Sequence, residues 1–318
     1  EVSVKKIFAP EHGFRGKADA GELVKDNLDP DTGIPVISLY GKNKKPTAEM
    51  LSGLDVVIFD IQDVGTRFYT YISSMHYMME ACAKYKVKMI VFDRPNPNDY
   101  IDGPILDMKF QSFVGMHPIP VVHGLTVGEL AKMINGEGWL EGGIKCDLEV
   151  IAMKNYTHGD RYDLPIKPSP NLPNMQSIKL YPSLCFFEGT KMSIGRGTLF
   201  PFQVIGYSEA QFGSFTFTPE SIDGMAKYPK LEGKLCYGVD LRKADVPDKL
   251  DLSFVVSFYN KWNNEEAFFI KFFNTLAGTD VLKKQIESGM TEEEIRQSWQ
   301  QGLDDYKSLR KSYLLYKE

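Results

Sequence analysis

Two stretches decide the fold class: DVVIFDIQD (residues 55–63) and VKMIVFDRPNP (residues 87–97). Each begins with a nearly continuous apolar run and then reaches an aspartate, which is typical of a buried strand in a parallel sheet. Between them, residues 69–85 repeat apolar side chains three and four positions apart, which indicates a helix. The order strand, helix, strand predicts a parallel sheet covered by helices.

The flanking segments extend this pattern. VSVKKIFAP (residues 2–10), IPVISLYG (residues 34–41) and CDLEVIAM (residues 146–153) have the composition of strands. Thr126 and Glu129 have the spacing of a capping box, so a helix is predicted to begin there. We therefore predict an α/β domain with a doubly wound, mostly parallel sheet.

A second domain is predicted from the length of the chain and from a proline-rich segment. The chain has 318 residues, and single cores usually stop growing near ~250–300 residues. Residues 155–175 contain four prolines within nine positions, which indicates an irregular segment crossing between domains. We predict a first domain at residues 1–160 and a smaller α+β domain at residues 161–318. In the latter, TEEEIRQSWQQGLDDYKSLR (residues 291–310) is predicted to be one long helix.

Several classes of function are disfavoured by what the sequence lacks. The net charge is −5 and no basic run tracks phosphates, so we expect no nucleic-acid partner. No GxGxxG follows a strand, and neither a P-loop, a GxSxG elbow nor an HExxH motif occurs. The five histidines are isolated in sequence, so we expect no metal site, and we expect no cofactor either. No apolar run approaches the ~18 residues of a membrane span.

Polar residues follow successive predicted strands of the first domain. In open α/β sheets, ligands bind beyond the carboxyl ends of the strands. Acids, arginines and a histidine recur there beside glycine or proline, and the nearby aromatic rings suit a sugar better than a phosphate. The candidates are Glu11, His12, Arg15, Asp60, Asp63, Arg67, Tyr69, Tyr71, Asp93, Arg94, Asn96 and His123.

A second polar cluster follows the proline-rich segment, in KPSPNLPN (residues 167–174) and FEGTKMSIGRGT (residues 187–198). One interpretation is a pair of irregular loops in which Glu188 pairs with Arg196. The other is a ligand wall facing the first domain, with Glu11 and Arg196 in one cavity. On its walls we expect Asp60 or Asp63, together with Tyr69 and His123. The candidates from this half are Ser169, Asn171, Glu188 and Arg196.

Several motifs occur in an order that spans nearly the whole chain: APEHGFRG, SLYGKNKKPT, DVVIFDIQDVGTRFYTY, FDRPNP, PVVHGLTVGELA, PSPNLPN, YPSLCFFEGT, SIGRGT and LRKSYLLY. With them the chain resembles the exo-β-N-acetylmuramidase family. The resemblance implies a Rossmann-like domain, a smaller C-terminal domain and a cleft between them. Family members usually begin with one more strand and a following segment, so we expect the first strand of the family to be missing here.

The resemblance also implies an activity and a location. The family removes N-acetylmuramic acid from the non-reducing end of peptidoglycan fragments, and its proposed catalytic glutamate aligns with Glu11. The implied partners are therefore muramyl sugars, and the implied location is the periplasm or the cell envelope of a bacterium. The alternatives are a peptidoglycan- or sugar-binding protein without turnover and a hydrolase of another envelope amino sugar.

Glycoside hydrolysis needs an acid at the leaving oxygen and a group that attacks or stabilises the sugar carbon. Glu11 is the candidate acid, and the other catalytic candidates are His12, Asp60 and Asp63. The second role is left open between Asp60, Asp63, Asp93 and the 2-acetamido group of the substrate. The lactyl carboxylate of muramic acid calls for a cation, and the planar guanidinium suits a carboxylate. The candidate cations are Arg15, Arg67, Arg94 and Arg196.

Overall fold

The computed structural model describes residues 2–13, 27–41 and 43–318. The strands are β1 (Ile7–Ala9), β2 (Asn27–Leu28), β3 (Pro35–Ser38), β4 (Val56–Phe59), β5 (Lys88–Phe92), β6 (Ile101–Asp102), β7 (Val122–His123), β8 (Leu148–Ile151), β9 (Val204–Tyr207), β10 (Phe215–Phe217) and β11 (Cys236–Asp240). The α-helices are α1 (Ala48–Leu51), α2 (Tyr71–Tyr85), α3 (Val127–Gly136), α4 (Met175–Leu184), α5 (Ser253–Asn260), α6 (Phe272–Ala277), α7 (Val281–Glu287), α8 (Glu292–Gln297) and α9 (Gln300–Arg310).

The parallel strands belong to two small sheets. Strands β4, β5 and β8 lie side by side in that order, and both pairings are parallel. Strand β1 pairs in parallel with β3, and β2 joins the other edge of β3 in the antiparallel direction. The α/β class is thereby confirmed. Because β1 and β3 run in the same direction, their carboxyl ends open at one edge of their sheet.

Helices α1, α2 and α3 cover one face of the β4-β5-β8 sheet. Val57, Phe59, Met89 and Val91 point to that face and share a core with the apolar sides of these helices. The alternate side chains on the opposite face include Ile58 and Ile151, each 45% exposed, and Phe92 at 39%. Among the described residues, the helical cover of this sheet is therefore one-sided.

The second half surrounds an antiparallel sheet with helices. The order of its strands is β10-β11-β9. Its core continues into the first half, because Phe68 packs edge-to-face on Tyr181 and Phe186 with ring centroids 5.3 and 6.0 Å apart. The two halves thus share apolar packing where they meet. Between β8 and α4, the proline-rich segment contains no helix and only an isolated bridge from Ser169 to Leu172.

The prediction of one long helix near the C-terminus is wrong in one respect, because the segment forms two helices, α8 and α9. The predicted capping box is present at Thr291. The break follows Ser298, whose hydroxyl donates to the carbonyl of Ile295 at 2.6 Å, and Trp299 has non-helical backbone angles. Ile295, Trp299 and Leu303 are all buried, so the break keeps the apolar sides of both helices on the core.

Candidate active site

A cavity of about 310 Å³ lies where the two halves meet. Half of the sequence-predicted candidates line it, and they come from both halves of the chain. Aromatic and aliphatic side chains make up much of the remaining wall, including Phe68, Phe113, Tyr181 and Phe202. The predicted residues on the wall are Glu11, His12, Tyr69, Tyr71, Ser169, Asn171, Glu188 and Arg196.

Glu11 reaches the cavity through a tight turn that directly follows β1. His12 and Gly13 both have a φ of 72°, and the amide of Gly13 donates to the carbonyl of Pro10 at 3.1 Å. Such left-handed angles reverse the chain sharply at the end of the strand. Glu11 lies two residues past β1, and Tyr40 lies two residues past the neighbouring β3. The parallel pairing of these strands therefore brings the two side chains together.

The Glu11 carboxylate is held by two hydroxyl groups. The Tyr40 hydroxyl donates to Oε1 at 3.0 Å, and the Thr70 hydroxyl donates to Oε2 at 2.7 Å. Thr70 precedes α2, so β1, β3 and the start of α2 all contribute to fixing this one acid. A carboxylate held from both oxygens has a defined orientation toward a ligand in the cavity.

Tyr69 and Tyr71 connect Glu11 to the proline-rich segment. Their rings meet edge-to-face with centroids 4.8 Å apart. The Tyr71 hydroxyl donates to the backbone carbonyl of Glu11 at 3.2 Å, and the Tyr69 hydroxyl donates to the carbonyl of Pro168 at 2.9 Å. Burial raises the pKa of Tyr71 to about 12, and the pKa of Tyr69 is raised as well. Both phenols therefore stay protonated at neutral pH and act as donors.

The wall from the second half carries an ion pair. Nε of Arg196 donates to Oε1 of Glu188 at 2.6 Å, and the guanidinium carbon lies 5.0 Å from the ring centroid of Phe202. Lys230 donates to three backbone carbonyls around Glu188. Burial disfavours the ionised form of Glu188, but the charges of Arg196 and Lys230 outweigh it and lower its pKa. The pair expected under the first interpretation is present, and Glu11 and Arg196 line one cavity as the second expects.

Ser169 and Asn171 bring the proline-rich segment to the cavity wall. The amide of Asn171 donates to the hydroxyl of Ser169 at 3.1 Å, and Nδ2 donates to the carbonyl of Met225 at 2.6 Å. Oδ1 of Asn171 is buried and has no hydrogen-bond partner among the described residues. This side chain is therefore fixed by its nitrogen and keeps an unused acceptor.

Asp60 and Arg94 do not line the cavity. Nε of Arg94 donates to Oδ1 of Asp60 at 3.0 Å, and both side chains are exposed to solvent. The expectation was that Asp60 or Asp63 lies on the cavity wall, and Asp60 does not. The ends of β4 and β5 are adjacent, so the acid that follows one strand pairs with the arginine that follows the other.

Asp93 and Asn96 stabilise the start of α3 and also lie outside the cavity lining. Asp93 accepts hydrogen bonds from the hydroxyl of Thr126 and the amide of Gly128, each at 2.7 Å, and from the hydroxyl of Tyr316 at 2.6 Å. An acid in this position satisfies free amides and interacts favourably with the helix dipole. Asn96 donates to the carbonyl of Leu125, just before the helix, at 3.0 Å.

Arg67 is fully buried, and its guanidinium donates hydrogen bonds to backbone carbonyls. Its Nη1 donates to the carbonyls of Pro104 and Ile119 at 2.8 Å each, and its Nη2 donates to Leu276 and Ala277. Burial lowers the pKa of Arg67 to about 9. Four backbone carbonyls from three segments converge on one guanidinium, so this arginine holds the two halves together and is absent from the cavity wall.

Asp63 and His123 form a buried pair instead of lining the cavity. Nε2 of His123 lies 3.5 Å from Oδ2 of Asp63, which also accepts from the amide of Gly65 at 2.7 Å. The expectation that Asp63 and His123 lie on the cavity wall is therefore wrong, because neither is among its described lining residues. Each finds its partners within the loops that connect the strands. The remaining candidate, Arg15, lies outside the described residues.

Several lining residues were not among the sequence-predicted candidates. Lys44 lies within the quoted motif SLYGKNKKPT and Thr70 within DVVIFDIQDVGTRFYTY, so two of the quoted motifs contain lining residues that were not singled out. Phe113 and Phe272 also line the cavity, and no sequence pattern singles them out. In the described ranges, no three His, Cys, Asp or Glu side chains are grouped to bind a metal ion. The same residues contain no helix with the length and apolar character needed to cross a bilayer.

The fold and the cavity together define an α/β protein of two parts, with an acid-bearing, aromatic-lined cavity where they meet. Residues 1–176 match the family model described as exo-β-N-acetylmuramidase NamZ, N-terminal, and residues 179–316 match the corresponding C-terminal model. The chain therefore belongs to the exo-β-N-acetylmuramidase NamZ family. The two models meet after the proline-rich segment, whereas the sequence-predicted boundary falls at residue 160.

Three relatives illustrate this membership. The chain is 40% identical over 341 residues to the peptidoglycan β-N-acetylmuramidase NamZ of Bacillus subtilis (strain 168), covering 99% of this chain and 80% of that protein. A crystal structure of a DUF1343 family protein from Bacteroides fragilis matches with a TM-score of 0.91 and 48% identity, covering 99% of this chain and 86% of that one. A second such protein from the same organism matches with a TM-score of 0.83 and 32% identity, covering 99% and 87%.

Proposed function

We propose that this protein is an exo-acting glycoside hydrolase that releases N-acetylmuramic acid from the non-reducing end of peptidoglycan fragments, with Glu11 as the general acid. The observation that carries the proposal is the Glu11 carboxylate, fixed in the cavity by the hydroxyls of Tyr40 and Thr70. Its setting supports the same reaction, because the chain belongs to the NamZ family and its Bacillus subtilis relative is a peptidoglycan β-N-acetylmuramidase.

In the proposed reaction Glu11 gives its proton to the glycosidic oxygen as the bond to the terminal sugar breaks. The carboxylate that remains accepts hydrogen bonds from Tyr40 and Thr70, which stabilise its charge. The same two bonds hold the acid in place before the transfer. Tyr71 adds to this restraint through the backbone carbonyl of Glu11.

We assign the second role to the 2-acetamido group of the substrate. Asp60, Asp63 and Asp93 are held outside the cavity by Arg94, His123 and the start of α3. Among the described lining residues, the other carboxylate is Glu188, which is engaged by Arg196. Substrate assistance is an established alternative to a second carboxylate. Fluorination of the acetamido methyl group should then slow hydrolysis steeply, and an unchanged rate would contradict this assignment.

The size of the cavity is consistent with exo action. A volume of about 310 Å³ lies at the lower end of the ~300–1,000 Å³ typical of small-molecule sites. Such a space accommodates a terminal sugar better than several consecutive residues of a glycan strand. The aromatic lining supplies apolar faces for one sugar ring, and the charged groups supply hydrogen bonds around it.

We further propose that the protein acts in the cell envelope, as an exported enzyme of cell-wall turnover, because its proposed substrate is located there. Fractionation of the native bacterium with an antibody against this chain tests the location. Recovery of the protein from the cytoplasm alone would contradict it.

The decisive test of the activity uses the disaccharide of N-acetylmuramic acid β-1,4-linked to N-acetylglucosamine. Mass spectrometry of the products should show both free sugars. The variant Glu11→Gln should lose this cleavage. Glu149→Gln is its matched control, since Glu149 lies exposed on β8 and pairs with Lys88. Binding of the disaccharide without cleavage would instead identify a sugar-binding protein, and cleavage only of other amino-sugar glycosides would identify a hydrolase of another envelope sugar.

A further inference from the structure

Two consecutive lysines between β3 and α1 have opposite environments. Nζ of Lys45 lies 2.8 Å from Oε2 of Glu80 and 3.0 Å from Oε2 of Glu141, so its charge is neutralised by two acids. It also lies 5.1 Å from the ring centroid of Tyr77. Lys45 therefore anchors this loop to α2 and to the turn that contains Glu141.

Lys44 points the other way and lines the cavity. Its Nζ lies 4.1 Å from the ring centroid of Phe113, which also lines the cavity and stacks on Tyr77 at 6.0 Å with an interplanar angle of 12°. The cation thus rests on an aromatic face, which attracts it without neutralising its charge. The side chain is half-buried, and no carboxylate of the described residues forms an ion pair with it.

Three of the four predicted cations for the lactyl group are bound to other partners, and the fourth, Arg15, lies outside the described residues. Arg67 is buried against backbone carbonyls, and Arg94 pairs with Asp60 at the surface. Arg196 lines the cavity but is paired with Glu188 at 2.6 Å. Among the described arginines and lysines of the lining, Lys44 is therefore the one whose charge no protein carboxylate compensates.

We infer that Lys44 binds the lactyl carboxylate of the muramyl sugar and so selects N-acetylmuramic acid over N-acetylglucosamine. The inference rests on the proposed function, because it assigns a specificity residue to the same cavity. The ring of Phe113 shields one side of the ammonium from water, which strengthens an ion pair formed on the other side. The ion pairs of Lys45 with Glu80 and Glu141 fix the neighbouring backbone, so the loop loses little conformational entropy when the substrate binds.

The test compares chromogenic β-glycosides of N-acetylmuramic acid and N-acetylglucosamine. Lys44→Met keeps the length and the contact with Phe113 but removes the charge, Lys44→Arg keeps the charge, and Lys88→Met on β5 is the matched control. We expect Lys44→Met to lower kcat/KM for the muramyl glycoside roughly 10- to 100-fold, mainly through KM. The glucosamine glycoside should change less than about 3-fold, and Lys44→Arg should recover much of the loss. Equal losses on both glycosides, or none, would overturn the inference.

A binding measurement separates failure of this inference from failure of the proposed function. Calorimetry compares N-acetylmuramic acid with its lactyl methyl ester, which lacks the negative charge. The wild type should bind the acid at least about 10-fold more tightly than the ester, and Lys44→Met should bind the two alike. If the wild type hydrolyses neither glycoside, the proposed function is refuted. Tighter binding of the acid than of the ester would then still support the role of Lys44 in binding the carboxylate. Equal binding of acid and ester by the wild type would overturn it.

Discussion

The carboxyl ends of the two parallel sheets carry similar residues and use them differently. At the ends of β1 and β3, Glu11 and Tyr40 meet on the wall of the cavity. At the ends of β4 and β5, Asp60 pairs with Arg94 at the surface, and Asp93 caps α3. In this molecule an acid that follows a strand thus lies on the cavity wall in one sheet and at a helix start in the other.

The difference arises from the local structure next to each acid. Asp93 accepts from the amide of Gly128 at the start of α3 and from the hydroxyls of Thr126 and Tyr316, which satisfy it within the protein. Glu11 leads into a left-handed turn, so no helix begins there within the described residues. Two side-chain hydroxyls of the described residues hold its carboxylate at the cavity wall. The described contacts of the two acids therefore differ, since Asp93 accepts a backbone amide at a helix start and Glu11 is held by side-chain hydroxyls on the cavity wall.

The largest effect predicted from this comparison is that of Glu11→Gln. The variant keeps the shape of the side chain and one of its two acceptor oxygens, but its amide cannot donate an acidic proton. We expect kcat on the muramyl disaccharide to fall at least ~100-fold while the thermal unfolding temperature stays unchanged. A variant that retains more than about a tenth of the wild-type rate would show that Glu11 is not the general acid.

The second prediction concerns the acid at the end of β5. Asp93→Ala leaves the amide of Gly128 and the hydroxyls of Thr126 and Tyr316 without their common acceptor. We expect the free energy of unfolding to fall by about 3 kcal/mol. Urea titration measures this loss, and kcat per folded molecule should stay within a factor of two. A loss of kcat with unchanged stability would place Asp93 in the reaction and break the distinction between the two edges.

The third prediction concerns His158, which lies beside Glu129 of α3 and Tyr316 near the C-terminus. Nδ1 of His158 lies 2.9 Å from Oδ1 of Asp99 and Nε2 lies 3.0 Å from Oε1 of Glu129, while the rings of Tyr156 and Tyr316 flank it. Burial alone would lower the pKa of His158, but the two carboxylates outweigh burial and raise it to about 9. The protonated form thus stabilises the fold below the unfolded pKa of ~6.5, and this contribution is lost as the pH rises through 9.

His158→Gln tests the third prediction, because glutamine keeps some hydrogen bonding without the charge. At pH 6 the variant should be less stable than the wild type by roughly 2–3 kcal/mol, and the difference should shrink toward pH 9.5. Denaturant titration at both pH values measures the change. A difference that stays constant between pH 6 and 9.5 would show that the charge on His158 does not contribute.

The sequence predicted the elements better than it predicted the partners of their side chains. The apolar runs of β4 and β5 and the capping boxes of α3 and α8 are local patterns, so they could be read directly. Arg67 resembled a ligand-binding arginine because its four carbonyl partners lie up to 210 positions away. Lys44 was overlooked because its environment depends on Phe113, which no periodicity connects to it.

The smallest effect is expected for Asp60→Asn, and it completes the comparison with Glu11→Gln. Both variants neutralise an acid directly after a parallel strand, but only Glu11 lies on the cavity wall among the described residues. The pair between Asp60 and Arg94 is exposed, with side chains 47% and 40% accessible, so solvent screens it and its loss costs between ~0 and 1 kcal/mol. We expect kcat and KM on the disaccharide to stay within a factor of two of the wild type. A fall in kcat approaching that of Glu11→Gln would mean that the β4 end moves to the substrate during the reaction, and that the two edges form one catalytic site.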